Sequence, residues 1–302
     1  VRRVIKAETF AAVIRAYLAS PKFDSLSDNT RSYQERILRW AEQPETLGAV
    51  STEVIRPALI QAFLDGLADR PATQWQAQGV FRALEKWAIV RDLLPYPITT
   101  GTEATKPDGG HEPWTDEQIA IAERDAAPHI ARAVTLASNT GQRGSDLVKM
   151  RWSDLEEDHG RLGINVIQHK TGVRLWIPLT QELERAIETW ERRPTYLLLK
   201  PDGQPWRRSQ LSDAWMKERD RKLPALAGLH LHGLRSTAVV RLRRAGATTG
   251  QIAAMIGMSE QMVNHYCRKS VQRENAMAAV VHLDTKGEQA KVITMPRRDV
   301  TR

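Results

Sequence analysis

A histidine and an arginine three positions apart, His232 and Arg235 in Leu229-His230-Leu231-His232-Gly233-Leu234-Arg235, stand where a helix begins. There they share one side of the first turn, where unpaired backbone N–H groups also favour an anion. The pair therefore faces a phosphate. About thirty residues on, Gly257-Met258-Ser259 precedes a helix bearing Tyr266, which that helix could deliver to the same phosphate. Two cations upstream extend the set: Arg143 in Thr140-Gly141-Gln142-Arg143-Gly144-Ser145-Asp146-Leu147, and Lys170 in Gln168-His169-Lys170-Thr171-Gly172. An arginine anchored at a glycine-permitted turn offers two parallel N–H groups to a phosphate. Taken singly, each residue has a plainer reading. Arg143 is then a surface residue of a helix-cap turn, Lys170 a soluble hairpin tip, and Tyr266 packing at a helix end.

The elements that must position these residues follow from periodicity and punctuation. Thr115 caps a helix with acids in its first turn, and Pro128 to Thr140 is a buried helix, apolar along one side. Gly163 to Gln168 and Val173 to Pro178 read as strands joined by a hairpin over His169 to Gly172. Thr180 caps a helix to about Arg192, Tyr196 to Leu199 suggests a short strand, and Ser209 to Arg221 is helical. Further helices are expected from His232 to Ala245, Gln251 to Ile256 and Ser259 to Arg268. Val271 to Leu283 adds one with an apolar side.

The first third has helical spacing throughout: Glu8 to Ala19, Asp28 to Ala41, Thr52 to Ala68 and Ala72 to Asp92, with Pro57 early in the third. A shared core of Phe10, Ile14, Leu18, Ile37, Leu38, Trp40, Ile60, Phe63, Leu64, Val80, Phe81, Leu84 and Trp87 is expected. Between Leu93 and Gly110, prolines, glycines and threonines replace helical periodicity, which suits an extended, mobile connection. The expected organisation is a helical domain over 1–92, a linker over 93–111, a catalytic domain over 112–284 and a polar tail over 285–302.

Of 302 residues, 44 are Lys or Arg and 36 are Asp or Glu, a formal net charge of +8. The excess is uneven: 14 basic and 13 acidic residues up to His111, against 30 and 23 beyond it. The basic part is the part that holds the phosphate-facing residues, as suits a polyanionic partner. With Cys267 the only cysteine, an intrachain disulfide or a cysteine-based zinc site is excluded. No apolar run reaches membrane-spanning length, and the first residues lack a signal-peptide core, so a reducing cytoplasm is the expected compartment.

In order and approximate spacing, Arg143, Lys170, His232, Arg235 and Tyr266 resemble the tyrosine recombinase, or phage integrase, family over roughly the last two thirds of the chain. The resemblance implies a mainly α fold with a small β-sheet in the catalytic domain, preceded by a helical core-binding domain that closes over DNA. It gives the chain no room for the additional arm-site domain of many phage integrases. It implies that Arg143 and Arg235 neutralise the scissile phosphate and that His232 orients it or accepts the tyrosine proton. Lys170 would be the general acid on the departing 5′ oxygen, and Tyr266 the nucleophile of a 3′-phosphotyrosyl link. Asp146 falls where the family usually has Glu, as a support. The implied partners are double-stranded DNA at specific sites, a synaptic tetramer and an accessory DNA-bending protein, with no cofactor, metal or membrane. In the tetramer the helix after Val271 either docks on a neighbouring subunit or packs on its own domain. In the helical domain Arg31, Arg36, Arg39, Arg82 and Lys86 are candidate DNA contacts, or an ordinary solvated face, since acids are interspersed.

One departure stands out. Where the family has His or Trp after the glycine, this chain has Met258, and the interval to Tyr266 is one residue short. A thioether donates no hydrogen bond, and one lost donor corresponds to roughly a few kcal/mol of transition-state stabilisation. Met258 then supports packing, with His265 or water as the replacement donor. His230 competes with His232, and Cys267 competes with Tyr266 as a stronger nucleophile that is more often simply buried. Two other readings stay open: a catalytically weak DNA-binding derivative, and a type IB topoisomerase-like nicking and rejoining enzyme.

Overall fold

The computed structural model describes residues 8–107 and 110–270, together with 276, 277 and 280. The chain divides into two compact units, Val1–Gly109 and Gly110–Arg302. The fold is mainly helical with one small antiparallel sheet.

In the first unit α1 (Phe10–Leu18) starts at Thr9, whose hydroxyl accepts from Ala12 N. Then follow α2 (Pro21–Asp24), α3 (Asp28–Ala41), α4 (Pro57–Asp65) and α5 (Pro71–Ile89). Proline opens α2, α4 and α5, where its missing N–H would have had no intrahelical partner. This corrects the helix expected from Thr52. It begins only at Pro57, because proline inside a helix removes a hydrogen bond and clashes with the preceding turn. Phe10, Ile14, Leu38, Ile60, Leu64, Phe81 and Leu84 are fully buried, each stabilising by about 1.5–3 kcal/mol on the usual transfer scale. Trp40, expected in this core, is instead 39% exposed; one face lies against Phe63 at 4.7 Å and Arg70 covers its ring.

The stretch after α5 also differs from an extended connection. Leu93, Leu94 and Ile98 are buried in the helical core. Glu85 Oε2 accepts from Ile98 N at 2.7 Å and Thr99 N at 2.5 Å, and Gln78 Nε2 donates to Thr102 O at 2.7 Å. Thr105 N donates to Gln74 Oε1. Side chains on one face of α5 thus satisfy backbone groups that have no regular structure of their own. Proline and glycine content reveals the irregularity but not these partners.

In the second unit α6 (Asp116–Asp125) is capped by a reciprocal pair, Thr115 with Gln118, and α7 (Pro128–Thr140) is its buried centre. After α8 (Gly144–Leu147) come β1 (Leu155–Asp158), β2 (Arg161–Ile167) and β3 (Arg174–Pro178), antiparallel in that order. The β1 strand was not expected, because Leu-Glu-Glu-Asp has no strand pattern. It pairs at an edge, Leu155 opposite Ile164, through backbone groups. Then α9 (Gln181–Thr189), α10 (Arg208–Lys222), α11 (Gly233–Arg244), α12 (Thr249–Ile256) and α13 (Glu260–Ser270) follow. Tyr196 and Leu199 form isolated bridges, to Arg151 and Pro205, rather than the expected strand. Ala238, Val239, Val240, Ile252, Ile256, Val263 and Cys267 make a second apolar cluster that clasps α11, α12 and α13 together. Of the helix expected over Val271 to Leu283, Ala276, Met277 and Val280 are helical and exposed; the rest, like the polar tail, lies outside the described residues.

Candidate active site

Helix α7 ends at Gly141, whose backbone is left-handed (φ 62°) and so close to α12 that an added Cβ would lie 2.3 Å from Ile256 Cδ1. Only glycine meets both conditions. Its carbonyl accepts from Arg235 Nη1 at 2.6 Å, and the same nitrogen lies 3.3 Å from Ile256 O. Ile256 O, at the partially negative end of α12, also accepts from Gln142 Nε2 (3.2 Å) and Gln168 Nε2 (2.9 Å). Arg235 is 2% exposed. Burial first, and then Arg143, push its guanidinium down to about 10, while Tyr266 and Asp146 act in the opposite sense. It stays charged at neutral pH. Its Nη2 is buried and has no hydrogen-bond partner among the described residues. A buried donor left so costs about 1–3 kcal/mol, which an arriving anion would recover.

Arg143 stands at the N-terminal end of α8, its side chain half-buried. Nη1 donates to Gln168 Oε1 at 3.1 Å and lies 4.0 Å from the fully buried carboxylate of Asp146. Asp146 Oδ1 accepts from His169 N at 2.8 Å, so it fastens the β2–β3 hairpin beside the arginine. Gln168 completes that fastening. Its oxygen accepts from Arg143 and from Thr171 Oγ1 (2.9 Å), while its nitrogen donates to Gln142 Oε1 (2.8 Å) and Ile256 O. Lys170, at the exposed tip, makes no ion pair with a described residue.

His232 immediately precedes α11 and remains solvent-accessible on one side. The His111 ring meets it edge-to-face, with centroids 5.3 Å apart and planes at 80°. Partial loss of water first, then His111, Arg235, Arg208 and Arg143, lower its pKa to about 4. It is therefore a neutral imidazole at pH 7, a competent proton acceptor. His230, the competing candidate, lies against His111 at 4.7 Å with the rings tilted by 51°, and its carbonyl accepts from Trp114 Nε1.

Tyr266 on α13 is half-buried beside the second apolar cluster and close enough to act electrostatically on Arg235. Met258 packs against that cluster. His265 is exposed, its ring 5.9 Å from that of Tyr266, and Cys267 is buried among aliphatic side chains. Arg143, His232, Arg235 and Tyr266 thus share one electrostatic neighbourhood, whereas Lys170 joins it only through the backbone and neighbours of its hairpin.

Sequence reading did not single out Gln142, Gln168, His111 or Arg208. Alternation along β2 offered a signal for Gln168: Ile164 and Val166 point inward, so the amide two residues on does too. In the helical unit, Arg31 pairs with Asp28 and Arg39 with Glu35 and Glu42. Arg36, Arg82 and Lys86 are exposed and form no ion pair among the described residues.

The phage integrase family model matches residues 117–273, which span every element of the site from α7 to α13. The integrase of Escherichia phage HK022 is 27% identical over 216 residues, 61% of this chain and 58% of that protein. The prophage integrase IntE of Escherichia coli K12 is 42% identical over 55 residues, 18% of this chain and 14% of that one. The match thus spans less than two thirds of either relative. Among solved structures, a lambda integrase dimer bound to a COC′ core site superposes with a TM-score of 0.72 at 21% identity, covering 86% of this chain and 77% of that one. The Tn1549 transposon integrase in complex with circular intermediate DNA gives 0.67 at 17% identity, covering 86% and 95%. The chain belongs to the phage integrase family.

Proposed function

We propose that the chain is a site-specific DNA recombinase that cuts and rejoins DNA through a 3′-phosphotyrosyl intermediate. The observation that carries the reading is Arg235: a buried, charged guanidinium held by two helix-end carbonyls near Arg143 and Tyr266, its Nη2 without a hydrogen-bond partner among the described residues. Such a preorganised donor stabilises charge that develops on a phosphate and needs little reorganisation during reaction. In this reading Arg143 and Arg235 bind the non-bridging oxygens, and the Tyr266 oxygen attacks phosphorus as its proton passes to neutral His232. The P–O5′ bond breaks, and Lys170, swung in on its hairpin, protonates the leaving oxygen. One phosphodiester replaces another of similar energy, so rejoining needs no nucleotide.

The partners proposed are double-stranded DNA, contacted also by Arg36, Arg82 and Lys86, which form no ion pair among the described residues, further copies of the chain in a synaptic tetramer, and an accessory DNA-bending protein. A solved relative supports the DNA and the tetramer: lambda integrase is seen as a tetramer bound to a Holliday junction. A cytoplasmic, DNA-associated location follows from the same reading; no helix among the described residues is long and apolar enough to cross a membrane.

Met258 favours a second reading. Its thioether sits in an apolar cluster and gives phosphate no donor, which suits a DNA-binding derivative with weak chemistry. Nicked duplexes bearing the DNA that flanks the gene, incubated with wild type and Tyr266→Phe, decide between them. A denaturation-resistant adduct with wild type alone supports the recombinase; specific binding without an adduct supports the derivative.

A further inference from the structure

His232 makes no hydrogen bond to a described residue through its ring, so among those residues its restraint comes from ring contact. The groups that face it are His111 from the segment entering the second unit, Arg235 on α11, Arg208 on α10 and Arg143 before α8; His230 and Arg208 in turn face His111. No carboxylate contributes to either ring's shift.

The segment that bears His111 is pinned to the start of α11. Trp114 N donates to Thr237 Oγ1 at 2.6 Å and Trp114 Nε1 to His230 O at 3.1 Å, while the indole packs at 4.9 Å against Trp215. The approach is so close that a Cβ on Gly233 would lie 2.4 Å from Glu112 O. His111 therefore meets His232 from a platform fixed to the helix that bears Arg235. Edge-to-face contact between rings is directional and restrains rotation of the accessible imidazole.

We infer that His111 is a positioning residue for His232, holding that imidazole at the angle from which it takes the tyrosine proton. This inference rests on the recombinase reading and adds to it a residue that never touches DNA chemistry itself. Partial loss of water first, then His230 and Arg208, also lower His111 from the ordinary histidine value, so at neutral pH the contact is between two uncharged rings.

The test uses single-turnover adduct formation on nicked duplexes from about pH 4 to about pH 8, with wild type, His111→Ala and His111→Phe. His111→Ala should slow cleavage about tenfold, a modest share of what a positioned base contributes. DNA affinity should stay within about twofold, since a positioning group acts on the chemical step and not on uniform binding. Its acid limb should move to higher pH as His232 returns towards its ordinary range, and His111→Phe should recover the rate by restoring a ring edge. Wild-type rate and an unmoved acid limb in His111→Ala would overturn the inference. So would a loss that His111→Phe does not repair. If wild type itself forms no adduct, the recombinase reading fails instead. NMR order parameters of the His232 ring in the free protein then still decide the positioning claim, because an equally ordered His232 ring with and without His111 refutes it.

Discussion

Replacing Gln168 by alanine removes a side chain that touches Arg143, the hairpin tip, Gln142 and the end of α12 at once. The contact with Arg143 is charge-assisted and contributes about 1.5–3 kcal/mol. Gln142, 2% exposed, loses the donor to its oxygen, which leaves a buried acceptor at a further cost of about 1–3 kcal/mol. The other two losses are softer. Ile256 O keeps Gln142 and Arg235 as donors, and Thr171 is exposed enough to turn to water. The expected destabilisation is about 3–5 kcal/mol, roughly 6–20 °C in the melting of a unit this size.

Catalysis should suffer separately. Without its acceptor the Arg143 guanidinium is no longer aimed, and a misplacement of about 1 Å costs on the order of 100-fold in rate. Gln168→Met separates these effects from simple loss of volume, since it fills the site without hydrogen bonds. Calorimetry and single-turnover cleavage of a nicked duplex should both place Gln168→Met near Gln168→Ala. A double-mutant cycle with Arg143→Ala should show coupling of at least about 1 kcal/mol. A Gln168→Met protein that melts and cleaves like wild type would refute the idea that this amide aims Arg143.

Three other outcomes follow from the same geometry. Gly141→Ala forces a side chain into left-handed backbone and onto Ile256, so thermal denaturation should show a loss of about 2–4 kcal/mol, and cleavage should fall with it because Arg235 hangs on that carbonyl. Cys267→Ser should keep the tyrosine adduct while losing about 1–3 kcal/mol of stability by placing a hydroxyl in an apolar cluster; loss of the adduct with stability intact would instead favour the thiol as nucleophile. Because the folded state holds His232 at about 4, below its unfolded value of about 6.5, its neutral form favours folding above about pH 6.5. That contribution is lost as pH falls from about 6.5 towards about 4, where the unfolded chain takes up the proton first. A series of melting curves should show a shallower acid decline in His232→Gln than in wild type.

The parts of this fold that could be read from sequence are those whose cause is local. Thr115 and Thr180 mark helix starts because a capping hydroxyl and the N–H groups it serves are neighbours in sequence, and Pro128 and Gly141 bound α7 for equally local reasons. The hairpin over His169 to Gly172 shows in its turn composition, with Gly172 at φ 71°. What escaped reading is held by distant partners. The β1 strand has no pattern of its own and exists because β2 offers an edge; the segment after α5 is ordered by Glu85 and Gln78, which look like surface residues of a helix until the chain returns to them.

The same division runs through the site. A cation, a histidine and a tyrosine can be recognised by type and spacing, because the chemistry they offer belongs to the side chain alone. Their aim depends on groups that look ordinary in sequence. Gln142 and Gln168 are amides without a motif, and Ile256 enters through a carbonyl that every residue possesses. That carbonyl is nevertheless where Arg235, Gln142 and Gln168 meet, at the end of the helix that leads through Gly257 to Met258. Gly257 is left-handed (φ 68°), and a Cβ there would lie 2.5 Å from Gln168 Nε2. The turn before Met258 is thus clamped to the hairpin by backbone and amide contacts that do not involve residue 258. Met258 can therefore fill the apolar cluster while the arginines keep their anchorage, and replacing it by a histidine would add a hydrogen-bond donor without disturbing what holds Arg143 and Arg235 in place.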